Sequence, residues 1–564
     1  MSHNPSPGRR SVLRGSLAAS AALALPTAGA LAAAVPAQAL SGRPRAAWGV
    51  QAGDVTTSSG LVWVRSDRPA RMIVETAATE SFRNPRRWQG PLLGPDTDFT
   101  GTVPLRGLPP GEQIHYRVTL ADPEDYRRTG EPVLGTFRTA PAKRREGVRF
   151  LWSGDIVGQG WGINPDIGGL YAYEEMRRLN PDFFLCSGDS IYADGPLSST
   201  VTLPDGRTWR NVTTEEKSKV AETLAEYRGN FRYPLLDENV RRFNAQVPTI
   251  AQWDDHEVVN NWYPGEILTD SRYTVKDVDT LATRARQAFS EYFPISTLPS
   301  TGEDGRVHRV VHHGPLLDVF VLDMRTYRNA NSPGRQTDDT TGILGAEQLA
   351  WLKQELSRSR AVWKVIAADM PLGLVVPDGA TDIEAVAQGD PGAPLGRELQ
   401  IAELLRFIKY RRITGTVWLT ADVHYTSAQH YDPSRAAFQD FEPFWEFVSG
   451  PLAAGGFPAN ALDNTFGPDR VFVQAPTKAN VSPMESPQYF GEVDIDGESG
   501  ELTVRLRATG GSVLFTKVLQ PGPVLDARTA AHCPDLGLRC RQPLNVKSLQ
   551  KGQFSLYPSV TVRS

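Results

Sequence analysis

The sequence predicts an α/β layered domain, residues 148–520, behind a small all-β domain of immunoglobulin or fibronectin type, residues 43–140. Three observations predict it. After Val148, six apolar runs each end in a polar cluster, and helix-like segments lie between several of them; that alternation builds α/β layers. Before them, short alternating runs separated by turns have the texture of a β-sandwich. The composition, 40% hydrophobic and 22% charged over 564 residues, suits a globular chain of two or three domains.

In chain order, the first element is a leader. Arg9 and Arg10 precede an apolar, alanine-rich stretch that ends in Ala37-Gln38-Ala39, a small-x-small cleavage pattern. Arg-Arg-Ser-Val-Leu resembles a twin-arginine export signal. Residues 1–39 are therefore expected to be removed, and the mature protein to be secreted or held at the cell surface. A retained anchor is the alternative, but Pro26 and Gly29 interrupt the stretch. No other run is long enough to span a bilayer. The β-domain follows, with "GLVWVRSD", "ARMIVETA", "IHYRVTL" and "GTFRTAP" as its strands, and Ala142–Gly147 is a polar linker. In the α/β region, "AYEEMRRL", "EEKSKVAETLAEYRGNF", "AEQLAWLKQELSRS" and "LQIAELLRFIKYRR" read as helices. The tail, 521–564, is proline-rich; Cys533 and Cys540 there enclose a short loop that reads as a disulfide in an exported protein. Cys186, the remaining cysteine, reads as a buried small hydrophobe. The net charge of −4 gives no reason to expect a nucleic acid or an anionic membrane as partner.

The polar clusters carry the chemistry. "RFLW" is followed by Ser153-Gly154-Asp155, and "FFLC" by Ser187-Gly188-Asp189, Tyr192 and Asp194. "TIAQW" leads to Asp254-Asp255-His256-Glu257 and Asn260-Asn261. Asp323 and Arg325 follow "VFVL", Asp369 follows "KVIAA", and Asp422 and His424 follow "TVWLT". One such Asp is an ordinary helix cap. So many carboxylates at one sheet edge would repel strongly, and cations are the remedy. Zinc-finger spacing is absent, and Asn260 stands where a zinc-protease helix beginning "HEVVN" needs its second histidine. Oxygen-rich ligands favour Fe3+, Mn2+, Ca2+ or Mg2+. A tyrosine ligand binds as phenolate, which at neutral pH points to ferric iron. "GQGWGI" and Trp262-Tyr263 are either pocket wall or ordinary packing.

Asp189-x-x-Tyr192, Asp255-His256-Glu257 and Asp422-Val423-His424 resemble the motif series of calcineurin-like metallophosphoesterases. "SGDSIYADG", "WDDHEVVNNW", "LDMRTYR" and "ADVH" resemble more closely the PhoD-type alkaline phosphatases, a branch of which includes a secreted phospholipase D. The resemblance implies a four-layer α/β sandwich, export by the twin-arginine route, and hydrolysis of phosphate monoesters and diesters with Fe3+ and Ca2+. It implies that Asp189 bridges two metals, that Tyr192 binds iron, that Asp255 and Asn260 bind a neighbouring divalent ion, and that Asp422 and His424 complete the cluster. His256 would serve the leaving oxygen and Arg325 would hold phosphate oxygens. The family's first strand ends in a cysteine that binds iron; here that place reads Ser153-Gly154-Asp155, with Asp155 the substitute ligand, which admits Mn2+ or Ca2+ in place of iron. The expected protein is a monomeric phosphoesterase that scavenges phosphate and whose tail is placed to cover the metals. A phospholipase D-like diesterase, an exported nucleotidase and a surface-binding protein with an inactive α/β domain are the alternatives.

Overall fold

Continuous apolar runs become strands buried on both faces. Every residue of Phe183–Ser187, Leu317–Val321 and Trp363–Ala367 is buried. The computed structural model of the protein describes residues 42–297, 305–338 and 341–522. The leader, the Cys533–Cys540 pair and the tail after residue 522 lie outside the described residues.

Two mixed sheets face each other. The nine-stranded sheet runs in the order Val513–Leu519, Leu502–Ala508, Tyr489–Ile495, Val148–Ser153, Phe183–Ser187, Thr249–Gln252, Val50–Gly53, Ser59–Arg65, Thr100–Arg106. The seven-stranded sheet runs Arg309–His313, Leu317–Val321, Trp363–Ala367, Thr416–Thr420, Phe444–Val448, Thr426–Tyr431, Pro468–Gln474. Between them lies a core that includes Phe150, Trp152, Leu185, Val319, Val365 and Leu419. Helices Ala172–Arg178, Leu224–Arg232, Glu238–Asn244 and Val278–Tyr292 cover the outer face of the first sheet. Helices Gly345–Arg358 and Glu398–Tyr410 cover that of the second, packing Leu352, Leu356, Ile401 and Leu405 onto Phe320, Ile366 and Trp418. The result is the expected four-layer α/β sandwich.

The β-domain is present in an altered form. Its strands Ala70–Ala77, Arg86–Leu93, Gln113–Ala121 and Val133–Arg138 make a separate four-stranded sheet. Its other three strands instead extend the nine-stranded sheet through a parallel bridge, Gly53 to Thr249. Buried contacts fix that junction: Arg309 donates to both Asp54 carboxylate oxygens at 2.7 and 2.8 Å, and Trp63 Nε1 donates to the Glu291 carbonyl at 2.7 Å. The segment "EEKSKVAETLAEYRGNF" also differs from expectation. Its α-helix begins only at Leu224, because Thr223 and Glu226 form a reciprocal capping box there.

The parallel core strands aim their carboxyl ends at one edge. Strands 148–153, 183–187 and 249–252 pair in parallel in one sheet; strands 317–321, 363–367 and 416–420 do so in the other. Gln252 spans the two sheets, donating from Nε2 to the carbonyls of Leu322 and Ala367 at 3.1 and 3.2 Å. That shared edge is where α/β folds bind ligands.

Candidate metal centre

All six polar clusters arrive at this edge. Oxygens or ring nitrogens of Asp155, Asp189 and His424 lie within 4.8 Å of one another; so do those of Asp189, Asp255 and His256, and those of Asp254, Asp255 and Asp422. Asp189 and Asp255 each belong to two of these groups. Tyr192 sits among them with its hydroxyl 2.8 Å from His424 Nε2, and its ring stacks on His256 with centroids 4.2 Å apart.

The backbone is bent to make this possible. Asp155, Asp189, Asp422 and His424 all hold left-handed conformations, with φ of 59°, 46°, 70° and 59°. Such a residue costs on the order of 1 kcal/mol or more, and clusters of them mark functional sites. The glycine of Ser187-Gly188-Asp189 is required: its φ is +94°, and a Cβ there would lie 2.5 Å from Asp254 Cβ. Glu257 then locks the two loops together. Its Oε1 accepts from the Ser190 N–H and hydroxyl at 2.7 and 2.6 Å, and its Oε2 accepts from the Asp254 N–H at 2.8 Å.

Each side chain is oriented by a neighbour. His424 Nδ1 is 2.6 Å from the Gly455 carbonyl; donation there leaves the Nε2 lone pair facing the cluster. Asp194 Oδ1 lies 2.8 Å from His256 Nδ1, and its Oδ2 accepts the Asn260 N–H at 3.0 Å. Asp255 accepts the Asn261 N–H at 2.6 Å. Both carboxylate oxygens of Asp155 and Oδ1 of Asp255 are buried without a hydrogen-bond partner. Unpaired buried anions of this kind are costly. Donor set and orphaned oxygens together fit cations held by Asp155, Asp189, Asp255 and His424.

Two expected site residues stand apart from the buried cluster. Asn260 is on the exposed rim of the cleft, where its backbone rather than its amide makes the contact with Asp194. Arg325 is fully buried at 0% exposure and does not line the cleft. Its Nη2 lies 2.6 Å from Asp254 and 2.5 Å from Glu384, and its Nε 3.5 Å from Asp369. It also stands 3.8 Å from Asp255 and 3.9 Å from Asp422, so in this structure it is a buried counter-charge behind the cluster rather than a residue of the cleft surface. Trp161 and Trp262 are buried packing residues; from the "GQGWGI" segment, Gln159 is the residue that reaches the cleft.

Comparisons with known proteins agree with this geometry. A family model described as PhoD-like phosphatase matches residues 150–506, more than half of the chain, and one for the N-terminal domain of PhoD-like phosphatases matches residues 30–141. The chain belongs to the PhoD-like phosphatase family. It is similar to alkaline phosphatase D of Bacillus subtilis (strain 168), with 28% identity over 461 residues, 76% of this chain and 72% of that relative. The solved structure of PhoD shares its fold with a TM-score of 0.63 and 22% identity, covering 84% of this chain and 90% of that one. Purple acid phosphatase PPD1 from yellow lupin (Lupinus luteus) seeds shares it with a TM-score of 0.52 and 12% identity, over 88% of this chain and 78% of that one. The protein is thus a phosphoric ester hydrolase with the metallophosphoesterase fold and a cluster built for metal.

The electrostatics are what such a phosphatase site requires. Burial pushes the Asp155 carboxyl up to about 8, and it drives Asp189 and Asp422 well above the usual carboxylate range. Burial likewise pushes His424 down to about 4, which keeps it neutral and ready to ligate. His256 runs the other way: burial would lower it, but Asp194, Asp255 and Asp189 outweigh burial and raise it. Burial, then Asp189 and Asp155, hold the Tyr192 phenol well above its ordinary value, so phenolate forms only beside a strong Lewis acid.

Two features of the site escaped the sequence reading. Asp194 was visible beside Tyr192, but its task of orienting His256 was not. Glu384 comes from the loop "TDIEAVAQ", which follows no apolar run. Arg328 and Arg397 both donate to its backbone carbonyl and so deliver its carboxylate to Arg325.

Proposed function

We propose that this chain is an exported phosphomonoesterase and phosphodiesterase, a monomer that leaves the cytoplasm by the twin-arginine route and scavenges phosphate. The observation that carries the catalytic part is the partnerless pair of Asp155 oxygens, buried beside Asp189 and His424. Asp155, Tyr192, His424 and Asp189 would hold one cation, Fe3+ by preference with Mn2+ as the substitute. Asp189, Asp255 and Asp422 would hold a second, Ca2+, with Asn260 at the rim near it. When bound, these cations supply Lewis acidity: they bind phosphate oxygens, acidify a water and neutralise the charge of an in-line transition state.

The chain's own residues do the rest. Asp194 holds His256 with its Nε2 free to give a proton to the leaving oxygen. Water is the nucleophile: Ser153 Oγ donates to the Tyr489 carbonyl at 2.9 Å, Ser190 Oγ donates to Glu257, and Ser187, whose hydroxyl has no partner, lies in no nucleophile-elbow pattern. The domain division at 43–140 and 148–520 serves this reading, with the β-domain buttressing the sheet that carries Asp189.

The test is hydrolysis of p-nitrophenyl phosphate and bis-p-nitrophenyl phosphate by the mature protein, before chelation, after it, and after calcium is restored. Activity that falls and returns, and that Asp189→Asn abolishes in a folded protein, is the expected result. Chelator-resistant turnover, or near-normal turnover by Asp189→Asn, would overturn the reading.

A further inference from the structure

The cleft over the cluster encloses about 510 Å³. Its floor is Asp189, Asp255, His256, Asp422 and His424. One wall is apolar, made by Val376, Pro377, Val423, Phe457 and Pro458. Among the described residues that line it there is no lysine or arginine. Of the nearby guanidinium groups, Arg325, Arg328 and Arg397 are buried and engaged with Asp254, Glu384 and backbone carbonyls, and Arg470, half-buried, donates to the carbonyl of Asn460.

The mouth instead carries a fixed negative charge. Asp378 stands on a short hairpin, pairing with Asp382, and lines the cleft. Its Oδ1 accepts from the Asn261 amide at 2.9 Å and its Oδ2 from the Asn331 amide at 2.8 Å. Asn331 is itself held through its Oδ1 by Arg397 Nη2 at 2.8 Å, and the Asn261 backbone is held by Asp255. The carboxylate is therefore an oriented part of the cleft wall, tied at one end to the metal-binding loop. A reacting phosphate would find its counter-charge in cations held at the floor, but a second anionic group on the leaving alcohol would meet Asp378 with no lysine or arginine among the described lining residues to offset it.

We propose that this cleft is a charge filter: it selects phosphoesters whose leaving group is uncharged and presents an apolar face, rejects those whose leaving group carries a further phosphate or phosphonate, and uses Asp378 as the specificity-determining residue. This rests on the phosphoesterase reading above and narrows its substrate class.

The test compares kcat/KM for 4-ethylphenyl phosphate and 4-(phosphonomethyl)phenyl phosphate, two leaving groups of similar shape that differ in charge. At low ionic strength the wild-type protein should prefer the uncharged leaving group about tenfold, and added salt should narrow that preference. Asp378→Asn should reduce the preference about fivefold. Equal turnover of the two esters by the wild-type protein, or a preference indifferent to both salt and Asp378→Asn, would overturn the filter alone. No hydrolysis of either ester would overturn the phosphoesterase reading and the filter with it. The salt series uses only the wild-type protein, so the test survives a variant that fails to fold.

Discussion

Glu257 clamps the two loops that carry Asp189 and Asp255, and Glu257→Gln weighs that clamp. The side chain is 0% exposed and receives three hydrogen bonds, at 2.7, 2.6 and 2.8 Å. A glutamine keeps the volume. Its carbonyl oxygen can still serve the Ser190 N–H and hydroxyl, but its amide nitrogen then faces the Asp254 N–H, donor against donor. One bond to a charged group is lost, about 1.5–3 kcal/mol, and two others fall to neutral strength, so the expected destabilisation is about 3 kcal/mol. Removing the charge also relieves repulsion from Asp255, one of the influences that raise Glu257 along with its burial. Bound cations already quench that repulsion, so the loss should be larger in metal-loaded protein than after chelation. Urea unfolding followed by tryptophan fluorescence, in both states, measures it, with metal content read by elemental analysis. An unchanged midpoint together with full metal content would refute the clamp.

Two more perturbations follow from the same geometry. Tyr192→Phe should remove visible absorption arising from phenolate and ferric iron in metal-loaded protein; an unchanged spectrum would exclude Tyr192 as the iron ligand. Glu446, far along the second sheet, is pushed up to about 7 by burial, against hydrogen bonds from the Tyr431 hydroxyl at 2.5 Å and the Leu372 N–H at 2.7 Å. Its folded value lies above the unfolded one near 4.5, so the folded state binds the extra proton. Stability from this group is present below about 4.5 and is lost as pH rises through about 7, by up to about 3 kcal/mol. Glu446→Gln, which stays neutral, should gain on the wild-type protein in urea midpoint between pH 5 and pH 8; parallel pH profiles would contradict this.

The layer structure was legible because its signal is local. Apolar runs such as Leu317–Val321 and amphipathic helices such as Glu398–Tyr410 announce themselves by length and period. The candidate site was legible because the strands are parallel: carboxylates that follow their ends must meet at one edge. What the sequence withheld depends on the third dimension. Nothing in "GLVWVRSD" distinguishes a strand that closes a sandwich from one that extends a neighbouring sheet, since both need the same half-buried alternation. The cap at Thr223 was readable as a capping box, yet the polar run before it looked equally helical. Glu384 had no readable signal, because its place is set by arginines distant in sequence.

Asp254 and Asp255 show why a list of polar residues does not become a list of ligands. They are adjacent and chemically identical, and oxygens of the two lie within 4.8 Å of each other, but their partners differ. Asp254 turns inward to Arg325 Nε at 2.6 Å. Asp255 turns to the cleft, anchored by the Asn261 N–H, and keeps one buried oxygen unpaired. The anions of this edge are thereby divided between two kinds of cation. Asp254, Asp369 and Glu384 are answered by Arg325, a permanent charge from the chain itself. In front, neither Asp155 oxygen accepts a hydrogen bond, Asp189 accepts the His256 N–H at 3.2 Å, and the free oxygen of Asp255 stands 3.8 Å from Arg325 Nη2. A fold that meant only to bury its carboxylates would have paired both sets. This one sets the rear carboxylates 2.5–3.5 Å from Arg325 and the nearest front one 3.8 Å from it, at the floor of a cleft wide enough for a phosphate ester, and that graded asymmetry leaves the front set for a metal to complete.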